Sequence, residues 1–231
     1  MQFDPVYMLF LAPAMLLSFW ASAKTQSAFR KYSKVRTATG MTGREAAARM
    51  LEGGGITDVK ILPTKGSLTD HYNPVDKTLK LSQPVYNQPT IAAVGVGCHE
   101  AGHALQHATE YGPLKIRSLL AKPAGFGSKM GFYAMMAGLA MQSTGLFQAG
   151  VVLFCLFVAF TVITLPVEFD ASRRAKKWAV EYGIVSAQER AGVDKVLDAA
   201  ALTYVAAAAS SVLQLLYFIS RSRKSSSNQS P

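Results

Sequence analysis

The chain has 231 residues, of which half are hydrophobic and only 16% charged, with a net charge of +10. That length suits one compact domain plus a few membrane spans, and not much more. The charged fraction is below the soluble norm of about 25%. Its Lys and Arg residues flank apolar runs rather than forming a stripe with interleaved aromatics, which favours anionic lipid headgroups and argues against nucleic acid.

The first apolar run, Val6 to Ala23, carries no charge. Ala21-Ser22-Ala23 imitates a signal-peptidase site. Met1 to Pro5 hold no positive charge, however, whereas Lys24, Arg30, Lys31, Lys34 and Arg36 follow the run. That asymmetry describes a retained transmembrane anchor over residues 1–23, with the next segment in the cytoplasm.

Residues 24–117 read as the cytoplasmic portion. Thr42 with Glu45 forms a capping box for a short helix through Glu52, and Gly53-Gly54-Gly55 ends it. Val59 to Leu62, Leu68 to Tyr72 and Thr78 to Leu81 read as strands around the turn Asn73-Pro74-Val75-Asp76. Thr90 to Ala108 is Ala- and Gly-rich and predicts a buried helix.

That helix carries His99-Glu100-Ala101-Gly102-His103. Residues four apart lie on one helix face, about 5.4 Å apart along the axis, so both imidazoles can converge on one Zn2+ ion. Glu100 is then placed to take a proton from the attacking water and pass it to the leaving amine. Cys98 points about 100° away from His99 and is expected as a reduced thiol, as is Cys155 within an apolar run.

Catalytic zinc requires a third protein ligand. The metzincin position is Thr109, which cannot serve, and His107 is one turn beyond His103, where supporting a ligand or the helix itself fits better than binding the metal. Between Glu110 and Glu168 there is no Asp, Glu or His, so Glu168 is the next candidate. Asp170 lies about 200° further around a helix and cannot share its direction.

Residues 118–167 predict a transmembrane hairpin turning at Gln142-Ser143-Thr144-Gly145, its first arm running from near Ala121 to Met141. Residues 168–198 follow as a cytoplasmic helix bearing Glu168 and the basic stretch Arg173, Arg174, Lys176, Lys177. Residues 199–220 form a fourth apolar run and 221–231 a disordered, basic and Ser-rich tail. Four spans would put that tail outside, against the positive-inside tendency.

Taken together, Tyr32-Ser33-Lys34-Val35-Arg36, Gly40-Met41-Thr42-Gly43, Leu68-Thr69-Asp70-His71-Tyr72, the His-Glu motif, Leu165-Pro166-Val167-Glu168-Phe169 and the Ala199 to Ala206 block resemble a known family. It is the YugP-like neutral zinc metallopeptidases of bacterial membranes, distantly similar to the HtpX and CAAX-prenyl peptidases. The resemblance implies Glu168 as third ligand, from the relatives' Glu near the end of a span. Those relatives commonly carry Asp four residues after that Glu, where this chain has Ser172.

The expected fold is a mainly α membrane protein, with about four transmembrane helices and a small α+β gluzincin-like zinc peptidase domain. The expected protein is a multi-pass zinc endopeptidase of the bacterial inner membrane, its site facing the cytoplasm and its substrates membrane-associated proteins or peptides, with a place in membrane-protein quality control. Thr78-Leu79-Lys80-Leu81-Ser82 is the candidate substrate edge. His71 and Tyr204 are candidate oxyanion stabilisers, and Asp70 can alternatively orient a ligand histidine. The competing readings are a catalytically silent zinc-binding scaffold or chaperone, which has no need of Glu100, and an ion transporter, which predicts polar residues lining several spans.

Overall fold

The computed structural model describes residues 5–227. The elements run α1 (Pro5–Tyr32), α2 (Gly43–Gly53), β1 (Lys60–Thr64), β2 (His71–Asn73), β3 (Thr78–Ser82), α3 (Gln83–Asn87), α4 (Ile91–Ala108), α5 (Gly112–Ala140), α6 (Thr144–Glu181) and α7 (Ala187–Ser227). The fold is mostly helical with one small sheet.

Among the described residues three helices are long and apolar enough to cross a membrane: Met8–Tyr32, Thr144–Glu181 and Ala187–Ser220. The sequence reading expects four. The missing one, α5, does fold as a helix, but Lys115, Arg117, Lys122, Lys129 and the glycines at 125, 127, 131 and 138 dilute its apolar character. The turn to α6 falls at residues 141–143, with Gln142 at φ 53, as the hairpin reading expects. The expected anchor is helical from Pro5, and residues 1–4 lie outside the described residues. The expected tail begins inside α7, and residues 228–231 lie outside the described residues.

The chain divides into two compact units, one drawn from the described parts of residues 1–20, 115–165 and 204–231, the other from 21–114 and 166–203. The first is all helix. Its core gathers Met135, Phe147, Phe154, Val158, Tyr217 and Phe218, with Phe218 edge-on to Phe147 and Phe154. Leu9, Leu16, Phe19, Leu119 and Val152 stay exposed on its outside, as a lipid-facing surface requires.

The second unit holds the sheet. Glu45 Oε2 accepts from the Thr42 backbone N–H at 2.8 Å and Thr42 Oγ1 accepts from the Glu45 N–H at 3.3 Å, which closes the expected capping box of α2. Gly55, at φ +70, turns the chain out of the helix. Strand order is β1-β3-β2, with β3 parallel to β1 and antiparallel to β2. Thr78 to Ser82 is therefore the central strand and not the expected edge: both of its sides are already paired, and Leu79 and Leu81 are wholly buried. The edges are β1 and β2. The middle strand expected from Leu68 begins only at His71, because Gly66 (φ 95) and Leu68 (φ 58) bend the backbone out of extended geometry.

Asp70 accepts from the Ser82 N–H at 2.7 Å and its hydroxyl at 3.0 Å, tying the start of β2 to the end of β3. It makes that tie instead of orienting a ligand histidine. Pro84 opens α3, a helix the sequence reading does not anticipate.

Helix α4 is approached by backbone from two directions. A Cβ at Gly97 would sit 2.2 Å from the Gly43 carbonyl oxygen of α2, and one at Gly102 would sit 2.7 Å from the Ala171 carbonyl oxygen of α6. At Gly95 a Cβ would only touch the Val193 side chain, at 3.4 Å.

Packing around α4 sets a first prediction. Gly97→Ala and Gly102→Ala are expected to destabilise the fold by about 1–3 kcal/mol through overpacking and so to lower the thermal unfolding midpoint. Gly95→Ala is expected to hold or raise it, since Ala is better than Gly in a helix by roughly 0.5–1 kcal/mol. Circular dichroism melts in detergent check the contrast, and equal losses at all three positions would refute it. A second prediction concerns pH. Burial raises the Asp70 carboxyl above its ordinary range, against the lowering effect of the Ser82 hydrogen bonds. The folded chain thus holds this proton more tightly than the unfolded one, a contribution present below about pH 4 and lost as pH rises through the folded pKa. Asp70→Asn keeps an acceptor for Ser82 and is expected to flatten the fall in stability from about pH 4 toward neutrality, measured by denaturant midpoints across that range.

Candidate metal centre

Helix α4 opens at Thr90, whose Oγ1 accepts from the Ala93 N–H at 3.3 Å. Small side chains at 92, 93, 95, 97, 101, 102 and 104 make it a thin rod that neighbouring backbones can approach closely. On it, His99 and His103 point the same way, their rings edge to face with centroids 4.8 Å apart. The close passage of α6 at Gly102 brings Glu168 to them.

His99 Nε2 lies 3.2 Å from Glu168 Oε2, and His103 Nε2 lies 3.5 Å from the same oxygen. The Glu168 side chain is 2% exposed, that of His103 8% and that of His99 13%, so the donors are sheltered while His99 keeps an opening. One ligand atom from each of the three falls within 4.8 Å of the others. Two imidazole nitrogens and one carboxylate oxygen form a donor set that zinc accepts with a coordination position left open. These residues fit the metal. Among the described residues no other group of His, Cys, Asp and Glu does so.

Each histidine is also held through its other ring nitrogen. His99 Nδ1 lies 3.1 Å from Ser172 Oγ, and His103 Nδ1 lies 3.0 Å from Gln106 Oε1. Gln106 in turn donates to the Val167 carbonyl oxygen at 2.8 Å and to Asp170 Oδ2 at 3.0 Å. Asp170 also accepts from Arg173 and, at 2.6 Å, from Arg174 Nε. Asp170 faces away from the cluster, as helix geometry requires, yet it reaches His103 through Gln106. The sequence reading misses Gln106 altogether. The available signal is spacing: Gln106 lies at i+3 from His103 and Ser172 at i+4 from Glu168, where helical side chains meet.

Glu100 is buried on α4. Cys98 is buried, and desolvation pushes its thiol up to about 12, so it stays protonated and outside the donor group. His107 Nδ1 bonds the Tyr72 hydroxyl at 2.8 Å, which links α4 to β2. His71 is exposed, and its Nδ1 bonds the Thr69 carbonyl oxygen within its own turn at 2.8 Å. Tyr204 is half-buried on α7 and belongs to the other compact unit.

Residues 7–223 match the model of the family described as "Putative neutral zinc metallopeptidase". The chain is 47% identical over 212 residues to the Bacillus subtilis (strain 168) protein named "Putative membrane protease YugP", covering 91% of this chain and 94% of that one. No solved structure matches. With its match spanning nearly every residue and its two histidines and glutamate gathered at one point, the chain belongs to the YugP-like family of neutral zinc metallopeptidases.

Proposed function

We propose that this chain is a multi-pass membrane endopeptidase that holds one zinc ion through His99, His103 and Glu168 and hydrolyses peptide bonds at the cytoplasmic membrane face. The observation that carries the reading is the meeting of both Nε2 atoms with one Glu168 oxygen, at 3.2 and 3.5 Å, on the helix that also bears Glu100. Zinc, when bound, acidifies a water molecule and polarises a peptide carbonyl. The Glu100 carboxylate would take a proton from the attacking water and hand it to the departing amine nitrogen.

The charges support the membrane side. Lys24, Arg30, Lys31, Lys34 and Arg36 follow the first apolar run, and Arg173, Arg174, Lys176 and Lys177 follow the end of the apolar stretch in α6. Glu168 sits at that second boundary in the sequence. A fourth span in α5 is supported by its glycines: a Cβ at Gly127, Gly131 or Gly138 would meet α6 backbone at 2.4, 2.8 and 2.5 Å. Close backbone approach through small residues is how helices pair inside lipid. Extended substrate adds at β2, the sheet edge that Tyr72 and His107 fasten to the active-site helix. Membrane-associated proteins are the substrate class, and their quality control is the role.

Two substitutions separate the parts of this reading. Glu100→Gln is expected to keep the wild-type zinc content while losing about a hundredfold or more of proteolytic rate. Casein or a detergent-solubilised membrane protein serves as substrate, with zinc measured by elemental analysis of the same samples. Undiminished proteolysis would end the peptidase assignment of this residue. Glu168→Gln is expected to lower zinc occupancy itself, and full occupancy in that variant would remove Glu168 from the ligand set.

A further inference from the structure

Gln106 is wholly buried on α4, one turn past His103. Its amide nitrogen faces the Val167 carbonyl oxygen and Asp170 Oδ2, at 2.8 and 3.0 Å. A carbonyl oxygen can only accept a hydrogen bond, and so can a carboxylate gripped by two guanidinium groups. The NH2 end of Gln106 must therefore point at α6, although an isolated amide has no such preference. Its oxygen is left for His103 Nδ1, 3.0 Å away, and that oxygen too can only accept. The hydrogen consequently sits on Nδ1. The Nε2 lone pair of the neutral ring then faces Glu168 Oε2.

We propose that Gln106 is the positioning residue of the metal centre. The Val167 carbonyl and Asp170 orient its amide, and the amide fixes His103 in the one tautomer that can present Nε2 to a cation. The inference rests on reading His103 as a metal ligand. Every member of the chain of contacts then has a part in it. Arg173 and Arg174, the latter packed over the Tyr111 ring at 5.8 Å, keep Asp170 an acceptor. Asp170 keeps the amide turned, and the amide keeps the ring turned. His99 is held differently. Its Nδ1 partner is the Ser172 hydroxyl, which can donate or accept and so sets the ring's direction without by itself choosing its tautomer. The Asp that relatives place four residues after the ligand Glu would choose it. Here the carboxylate stands at Asp170, two positions earlier than Ser172, and acts on the other histidine.

The chain has four histidines, so ring-15N labelling resolves them individually. In zinc-free wild-type protein, at a pH where the rings are neutral, His103 is expected to carry its hydrogen on Nδ1; finding it on Nε2 overturns the proposal without any variant having to fold. Zinc affinity is read separately, by competition with a chromophoric chelator. Gln106→Leu is expected to weaken it about 10- to 100-fold, the usual effect of losing a partner that orients a ligand. Gln106→Glu is expected to weaken it too, since a second carboxylate then faces Asp170. Adding Asp170→Asn gives that glutamate an amide donor and is expected to restore part of the loss, which a merely space-filling role would not. Wild-type affinity in Gln106→Leu also overturns the proposal. If the wild-type protein shows the Nδ1 hydrogen but binds no zinc, the peptidase reading fails and the orientation of His103 by Gln106 stands.

Discussion

At Gly102 the backbones of α4 and α6 run so close that one methyl group would meet the Ala171 carbonyl oxygen at 2.7 Å. Glu168 stands one turn before Ala171 and His103 directly after Gly102, so the distance between these helices sets whether the carboxylate can reach the imidazoles. Helix separation follows the size of the side chains at the contact, commonly about 8–10 Å. Leucines here would bury more apolar area and hold α6 too far off for the donor atoms to converge. On the other side, Gly97 lets α2 press closer still, with a Cβ there 2.2 Å from the Gly43 carbonyl oxygen. The Gly and Ala content of α4 is therefore a geometric requirement of the site.

The same closeness makes the site electrostatically demanding. Glu168 is nearly sealed from solvent, and an isolated carboxylate in such a place costs several kcal/mol unless it is paired. Its Oε2 has His99 Nε2 at 3.2 Å and His103 Nε2 at 3.5 Å, so three donor atoms converge on one point. A cation between them satisfies all three groups at once. Buried ionisable groups at the end of an apolar helix are expensive to keep, and a metal centre gives them a reason to be there.

Much of this is legible in the sequence because the signals are local. A capping box, a glycine stop, a turn between apolar runs and two histidines at helical spacing each report on a few neighbouring residues, and each appears in the structure. What the sequence hides depends on distant partners. The pattern of Thr78 to Ser82 marks a half-buried strand, but nothing in it tells that β1 arrives in parallel on one side and β2 on the other. His107 reads as support for the metal because it shares the motif helix, and its bond to Tyr72 depends on how β2 folds back. Helix α5 shows the opposite limit: its helicity is readable, while its lysines and glycines keep it out of the set of described helices apolar enough to cross a membrane.

Gln106 falls between these cases. Its distance from His103 is local, but its meaning comes from Val167 and Asp170 on another helix. An amide is symmetric enough in shape to sit either way round, and only acceptors fixed from outside decide between the two orientations. Helix α6 supplies both acceptors within the turn that also carries Glu168. The element that delivers the third donor thus also orients one of the other two. Any movement of α6 relative to α4 would disturb both together, which couples the chemistry of the site to the packing at Gly102.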